Sequence, residues 1–196
     1  MLHNSMRPLK EARAQVDGWL NEVVLRAGKC SALLRNELAE GMRHRTVDPF
    51  AVYDEIAFME GSAPRSRTGT KPPDPLRREL QGLMHKHYAA SSMASFALNQ
   101  LNHWRRPENE TKLLEIFSEF NRDGHAGKLS HALVLGAHKG RHAASQMTGE
   151  WIVYADLAGV NYYLTLGTHT EPSDIRARVE ACLAEFPEVH AHLGWR

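Results

Sequence analysis

Cysteine is almost missing from this chain. Cys30 and Cys182 stand far apart, which excludes a disulfide framework and a four-cysteine zinc site and leaves two buried thiols as the expectation. Long apolar runs are missing too: no stretch approaches the roughly eighteen consecutive apolar residues of a membrane span. The opening "MLHNSMRPLKEARAQ" has no apolar centre of the signal-peptide kind, so the expected location is the cytoplasm. There is no excess of one charge, with 24 basic and 23 acidic side chains giving +1 overall. Internal repeats and low-complexity tracts are also lacking. What remains, 42% hydrophobic and 24% charged residues over 196 positions, is the composition of a globular protein able to bury a real core.

The charge is unevenly spread. From Gly61 to Arg106 eight bases face two acids, and from Ala143 onward three bases face seven acids. A basic belt of this kind suits an anionic partner, most commonly nucleic acid, or pairs with the acidic end of its own fold.

Apolar residues at three- and four-residue steps predict helices over Leu9–Ala27, Leu33–Met42 and Val52–Met59, the first and third opened by Pro8 and by Asp48–Pro49. "GSAPRSRTGTKPPDP" over 61–75 predicts a long loop or linker. Asp74 and Pro75 repeat the cap-and-proline start, and Leu76, Leu80, Leu83 and His87 follow at helical spacing. Helical runs continue through "MASFALNQLNHW" and Leu113–Phe120. After Lys128, "SHALVLGA", "EWIVYAD" and "NYYLTLG" read as strands near 130–136, 150–156 and 161–167, the last two forming a hairpin across "LAGV". A closing helix carries Ile175, Val179, Leu183 and Phe186. The predicted class is α+β: N-terminal helices, a small antiparallel sheet, a C-terminal helix. Its expected division is a helical region 1–60, the loop 61–75 and an α+β part 76–196, continuous with 1–60 if they share a core.

Three groups carry chemistry. In "GLMHKHY", a helical reading puts His85 on the polar side with Arg77, Arg78 and Lys86 near it, a phosphate-binding or catalytic setting, and turns His87 inward. His85 and His87 then diverge too far to share a metal. In "NQLNHWRRP", Asn99, Asn102, His103, Trp104, Arg105 and Arg106 mix groups that suit a nucleotide, guanidinium for phosphate and an aromatic ring for a base. In "HALVLGAHKGRHAAS", a loop released by a strand would present His138, Lys139, Arg141 and His142 together, with Tyr154, Tyr162, Tyr163 and His169 on the next hairpin. Imidazoles and cations supply the base, the acid and the phosphate clamp of phosphoryl transfer without a metal. The catalytic candidates are therefore His138, His142, His85 and Tyr154. The anion-binding candidates are Lys139, Arg141, Arg77, Arg78, Lys86, Arg105 and Arg106. No metal or other cofactor is expected, because no four ligands stand at zinc spacing.

The elements "GLMHKHY" and "EWIVYADLAGVNYYLTLGTH" resemble those of uncharacterised bacterial and phage-associated proteins, a resemblance that implies no particular activity. The order of elements from Leu113 to Phe186 resembles the small ribonuclease toxins of the RelE-like and barnase-like kind. That resemblance implies RNA cleavage and an acidic inhibitor protein as partner. A non-catalytic nucleic-acid or protein-binding module and a histidine-based metalloprotein are the other readings.

Overall fold

A computed structural model describes residues 8–89, 93–147, 149–168 and 172–195. The expectation placed on His169 falls outside them. The chain is α+β, a five-stranded sheet in the order β1-β5-β4-β3-β2 with helices on both faces.

The first helix, α1 (Leu9–Trp19), starts after Pro8 and runs into a π-helical turn, Leu20–Val24. Its buried residues explain that turn. Ala12, Val16, Leu20 and Val24 are spaced by four, and each such step overshoots a full α turn by about 40°. The wider π turn, closed by Leu25 N–H donating to the Leu20 carbonyl at 2.8 Å, returns Val24 to the core side. β1 (Lys29–Cys30) leads into α2 (Ala32–His44), capped by Ser31 Oγ accepting from Leu34 N at 2.9 Å. Asp48 caps α3 (Pro49–Met59), with Pro49 in its first turn.

β2 (Asp74–Pro75), β3 (Met84–Tyr88), β4 (Glu150–Leu157) and β5 (Val160–Gly167) are mutually antiparallel in sheet order, while β1 runs parallel to β5 through Lys29↔Tyr162 and Cys30↔Tyr163. Ala158 and Gly159, both at positive φ, make the two-residue turn between β4 and β5. One face of the sheet carries Tyr88, Ile152, Tyr154 and Tyr163 against α1–α3. The other carries Trp151, Val153, Ala155 and Leu164 against α8 (Pro172–Cys182) and α9 (Pro187–Leu193). Ile152 and Leu164 are fully buried, each contributing about 1.5–3 kcal/mol by leaving water.

Between β3 and β4 the chain leaves the sheet and forms a lobe of α4 (Met93–Trp104), α5 (Pro107–Asp123), α6 (Ala126–His131), a second π turn Ala132–Gly136, and α7 (Ala137–Ala143).

Four expectations are corrected. Residues 130–136 are helical, not a strand: "HALVLGA" holds one β-branched residue, Val134, beside two leucines and two alanines, which are strong helix formers. Residues 84–88 are a strand, not a helix. Gly82 at φ +96° stops any helix from passing through, and the alternation Met84, Lys86, Tyr88 against His85, His87 then divides between the two faces. The start at Asp74–Pro75 yields β2 and a single 3-10 turn, Arg78–Leu80. The sheet is also mixed rather than wholly antiparallel, because β1 adds a parallel edge.

Candidate anion site at the root of the lobe

The lobe is built around α7. Gly140 lets α7 approach α4: a Cβ at that position would lie 2.9 Å from His103 Cε1. The π turn just before α7 loosens two carbonyls, and α4 takes both. Trp104 Nε1 donates to the Leu133 carbonyl at 3.2 Å and Gln100 Nε2 to the Val134 carbonyl at 3.0 Å. The helix is thereby fixed with Arg141 turned inward.

Arg141 is 2% exposed. Its Nε donates to Asn99 Oδ1 at 3.0 Å and its Nη2 to the Gln146 carbonyl. Its Nη1 has no hydrogen bond among the described residues. No carboxylate pairs with it among the described residues. Its surroundings are cationic instead. Burial, and then the nearby charge of Arg106, hold the Arg141 guanidinium below its ordinary pKa. Burial and the charges of Arg141 and Arg106 likewise lower Lys71, with Asp74 opposing. His103, 8% exposed, is lowered by burial, then by Arg141, Lys112 and Arg106, with Glu108 opposing. Both partly opposing acids are peripheral, and Glu108 stands 3.8 Å from Arg106. A buried guanidinium among like charges is costly unless an opposite charge offsets it, and its planar fork matches the geometry of an oxyanion.

The loop before β2 forms the second wall. His142 donates or accepts at Nε2 with the Arg67 carbonyl, 3.0 Å away. Gly69, at φ +64°, passes so close that a Cβ would lie 2.6 Å from the His142 carbonyl oxygen. Met147 N–H donates to the Gly69 carbonyl and Lys71 N–H to the Met147 carbonyl. Beneath this loop lies a buried charge pair. Lys86 Nζ stands 2.9 Å from Glu55 Oε2, an ionic contact off the hydrogen-bonding direction. Lys86 also donates to Thr70 Oγ1 and to the Lys71 carbonyl, while Ser66, Thr68 and Thr70 hydroxyls donate to Glu55 Oε1. Burial lowers the Lys86 amine, and Glu55 opposes the shift. Lys86 is thus a pin holding the loop to the sheet, with its donors already used.

Of the residues singled out in the sequence, Arg141 and Arg106 lie near each other, while His142 turns outward to the Arg67 carbonyl and stacks with His138 at 6.4 Å between ring centroids. Lys139 lies exposed on α7, and Arg105 lies exposed in the turn between α4 and α5. Arg77 and Arg78 border a separate cleft beside β2. His85 and Tyr154 do not join the site, because they sit on opposite faces of the sheet. His85 packs against Trp151 at 4.6 Å, and Tyr154 faces Tyr163 under α1–α3, its hydroxyl pushed up to about 12 by burial. Lys71 was visible only as one base of the belt. Asn99 and His103 carried a clearer signal, two polar residues four apart on the inward face of α4. Among the described residues no three His, Cys, Asp or Glu side chains gather as a metal set, and no helix is long and apolar enough to cross a membrane. No family model matches the chain, and neither a curated protein nor a solved structure does.

Proposed function

We propose that this chain acts on RNA phosphates, holding a phosphodiester on Arg141, Arg106 and Lys71 and cleaving it without a metal. The observation that carries the reading is Arg141, a buried guanidinium with one nitrogen without a hydrogen bond and no carboxylate partner among the described residues. An anion supplied from outside completes its charge balance, and phosphate fits its fork. His103 adds the chemistry. Lowered by burial and then by its cationic neighbours, it favours the neutral form that a general base needs. In the proposed step neutral His103 takes the ribose 2′-OH proton and the 2′ oxygen attacks phosphorus. The P–O5′ bond breaks, and the leaving 5′ oxygen takes a proton from solvent water, leaving a 2′,3′-cyclic phosphate and a 5′-OH. The cation cluster stabilises the charge that builds on the phosphoryl oxygens.

Fluorescence anisotropy with single-stranded RNA across a salt series, followed by gel analysis of the same RNA in the presence of EDTA, tests this. Affinity is expected to fall steeply with salt, and Lys71→Glu and Arg106→Glu are each expected to flatten the slope by about one. His103→Gln is expected to slow cleavage by roughly 10²–10⁴. Salt-dependent binding without cleavage would reduce the protein to a nucleic-acid-binding module, and binding indifferent to salt would remove the phosphate reading altogether.

A further inference from the structure

A cleft of about 500 Å³ opens on the loop side of His142, and none of Arg141, Arg106, Lys71 or His103 lines it. Its walls are the 61–73 loop, β3 and the end of α7, and its lining includes Phe58, Pro64, Pro72, Arg65, His142 and Ala143. The floor is firm. Thr70 and Lys86 are fixed by Glu55, and the Lys86 ammonium lies 5.8 Å from the Phe58 ring centroid. The volume falls within the roughly 300–1,000 Å³ range of pockets for small ligands, and the mix of flat apolar surface with a few polar groups is also theirs. Two runs of chain border both this cleft and the cation cluster: Thr70 and Pro72 flank Lys71, and His142 follows Arg141. The cleft and the cation cluster therefore share the backbone of these two runs.

We propose that this cleft is a nucleobase pocket, so that the unit bound is a nucleotide with its base between Phe58 and the rim guanidinium of Arg65 and its phosphate on the cation cluster. This rests on the reading of that cluster as a phosphate site. Proline faces, an aromatic ring and a guanidinium plane are sequence-tolerant surfaces for a heterocycle. The rim chemistry favours Arg65 over Arg67, whose guanidinium is drawn to Asp54 at 3.6 Å.

The test is calorimetric titration of the full chain with three probes: a nucleoside, ribose 5-phosphate, and the corresponding nucleoside 5′-monophosphate. The monophosphate is expected to bind ten- to a hundred-fold more tightly than ribose 5-phosphate. Ala143→Trp fills the cleft from an exposed position at the end of α7. It is expected to abolish that advantage and leave ribose 5-phosphate binding unchanged, with an unaltered circular dichroism melt as the check on folding. Equal affinity of the two phosphates for the wild-type chain overturns the base pocket while keeping the phosphate site. Binding of the nucleoside with no gain from its phosphate instead overturns the phosphate site on which the proposal stands, and no binding by any probe overturns both.

Discussion

Two regions of this molecule bury opposite things. Along β4 and β5 the inward residues are Trp151, Ile152, Val153, Tyr163 and Leu164, packed from both sides by helices. In the lobe from Met93 to Ala143, the buried residues among the described side chains are Ala137, Asn99, His103 and Arg141. Of its large apolar groups, Leu98, Leu101, Leu114, Phe117, Val134 and Leu135 are exposed, and Phe96, Trp104, Leu113, Ile116, Phe120, Leu129 and Leu133 are half-buried. The sheet is organised by the removal of apolar surface from water, which needs no ligand. The lobe is organised around hydrogen bonds and like charges, an interior that is costly until something neutralises it. Where a region buries a site instead of a core, its stability is tied to the occupant of that site.

The largest expected effect lies on the sheet side, at the one place where charge is buried under it. Lys86→Met leaves Glu55 sealed without its counter-charge and is expected to cost about 3–5 kcal/mol by chemical denaturation. The double variant Lys86→Met with Glu55→Gln is expected to recover much of that loss. If the single variant is as stable as the wild type, the pair does not pin the loop.

An anion is expected to act on the lobe alone. Sulfate at a hundred times its Kd adds about 2.7 kcal/mol to whatever unit binds it. Hydrogen exchange should therefore slow across 93–143 and stay unchanged in β4 and β5. The pH dependence has a definite sign. His103 is held below its unfolded value, so in the anion-free chain its contribution to stability is fully present above about pH 6.5 and is lost as the pH falls through the lower folded value. Sulfate, which keeps its charge throughout this range, is expected to bind more tightly over the same fall, because it favours the imidazolium. Protection that rises equally in the sheet and the lobe would erase the distinction between them.

The smallest expected effect is a gain. Gly136 sits in the π turn at φ −60°, and a Cβ there meets nothing within 4 Å. Gly136→Ala is therefore expected to stabilise the lobe by about 0.5–1 kcal/mol in thermal melts. A loss instead would mean that the π turn itself depends on glycine.

The same contrast decides what could be read from the sequence. α1, α2, α3 and the β4–β5 hairpin bury regular apolar patterns, and their periodicity announced them. β3 did not, since Met84, Lys86 and Tyr88 alternate with two histidines, so neither face looked apolar, and the stripe Leu76, Leu80, Leu83 imitated a helix. "SHALVLGA" failed for the opposite reason: a short apolar run has no period that separates strand from helix. Of the site, Arg141 and Arg106 were visible as residue types. Their convergence with Lys71 and His103 was not, because it depends on Gly140 and on a π turn, neither of which leaves a charge or apolar signature.

The parallel pairing of β1 with β5 sets an order on how the chain can be made. Helices α1–α3 emerge from the ribosome early, yet the sheet face they cover, Tyr88, Ile152, Tyr154 and Tyr163, is completed only when β5 has been synthesised. At about 5–20 residues per second, their apolar faces wait several seconds for a floor, while the whole lobe is translated in between. During that interval Trp19, Phe50 and Tyr53, which touch one another ring to ring, are the first aromatic cluster able to assemble without the sheet, and the nascent helices have them as a temporary anchor.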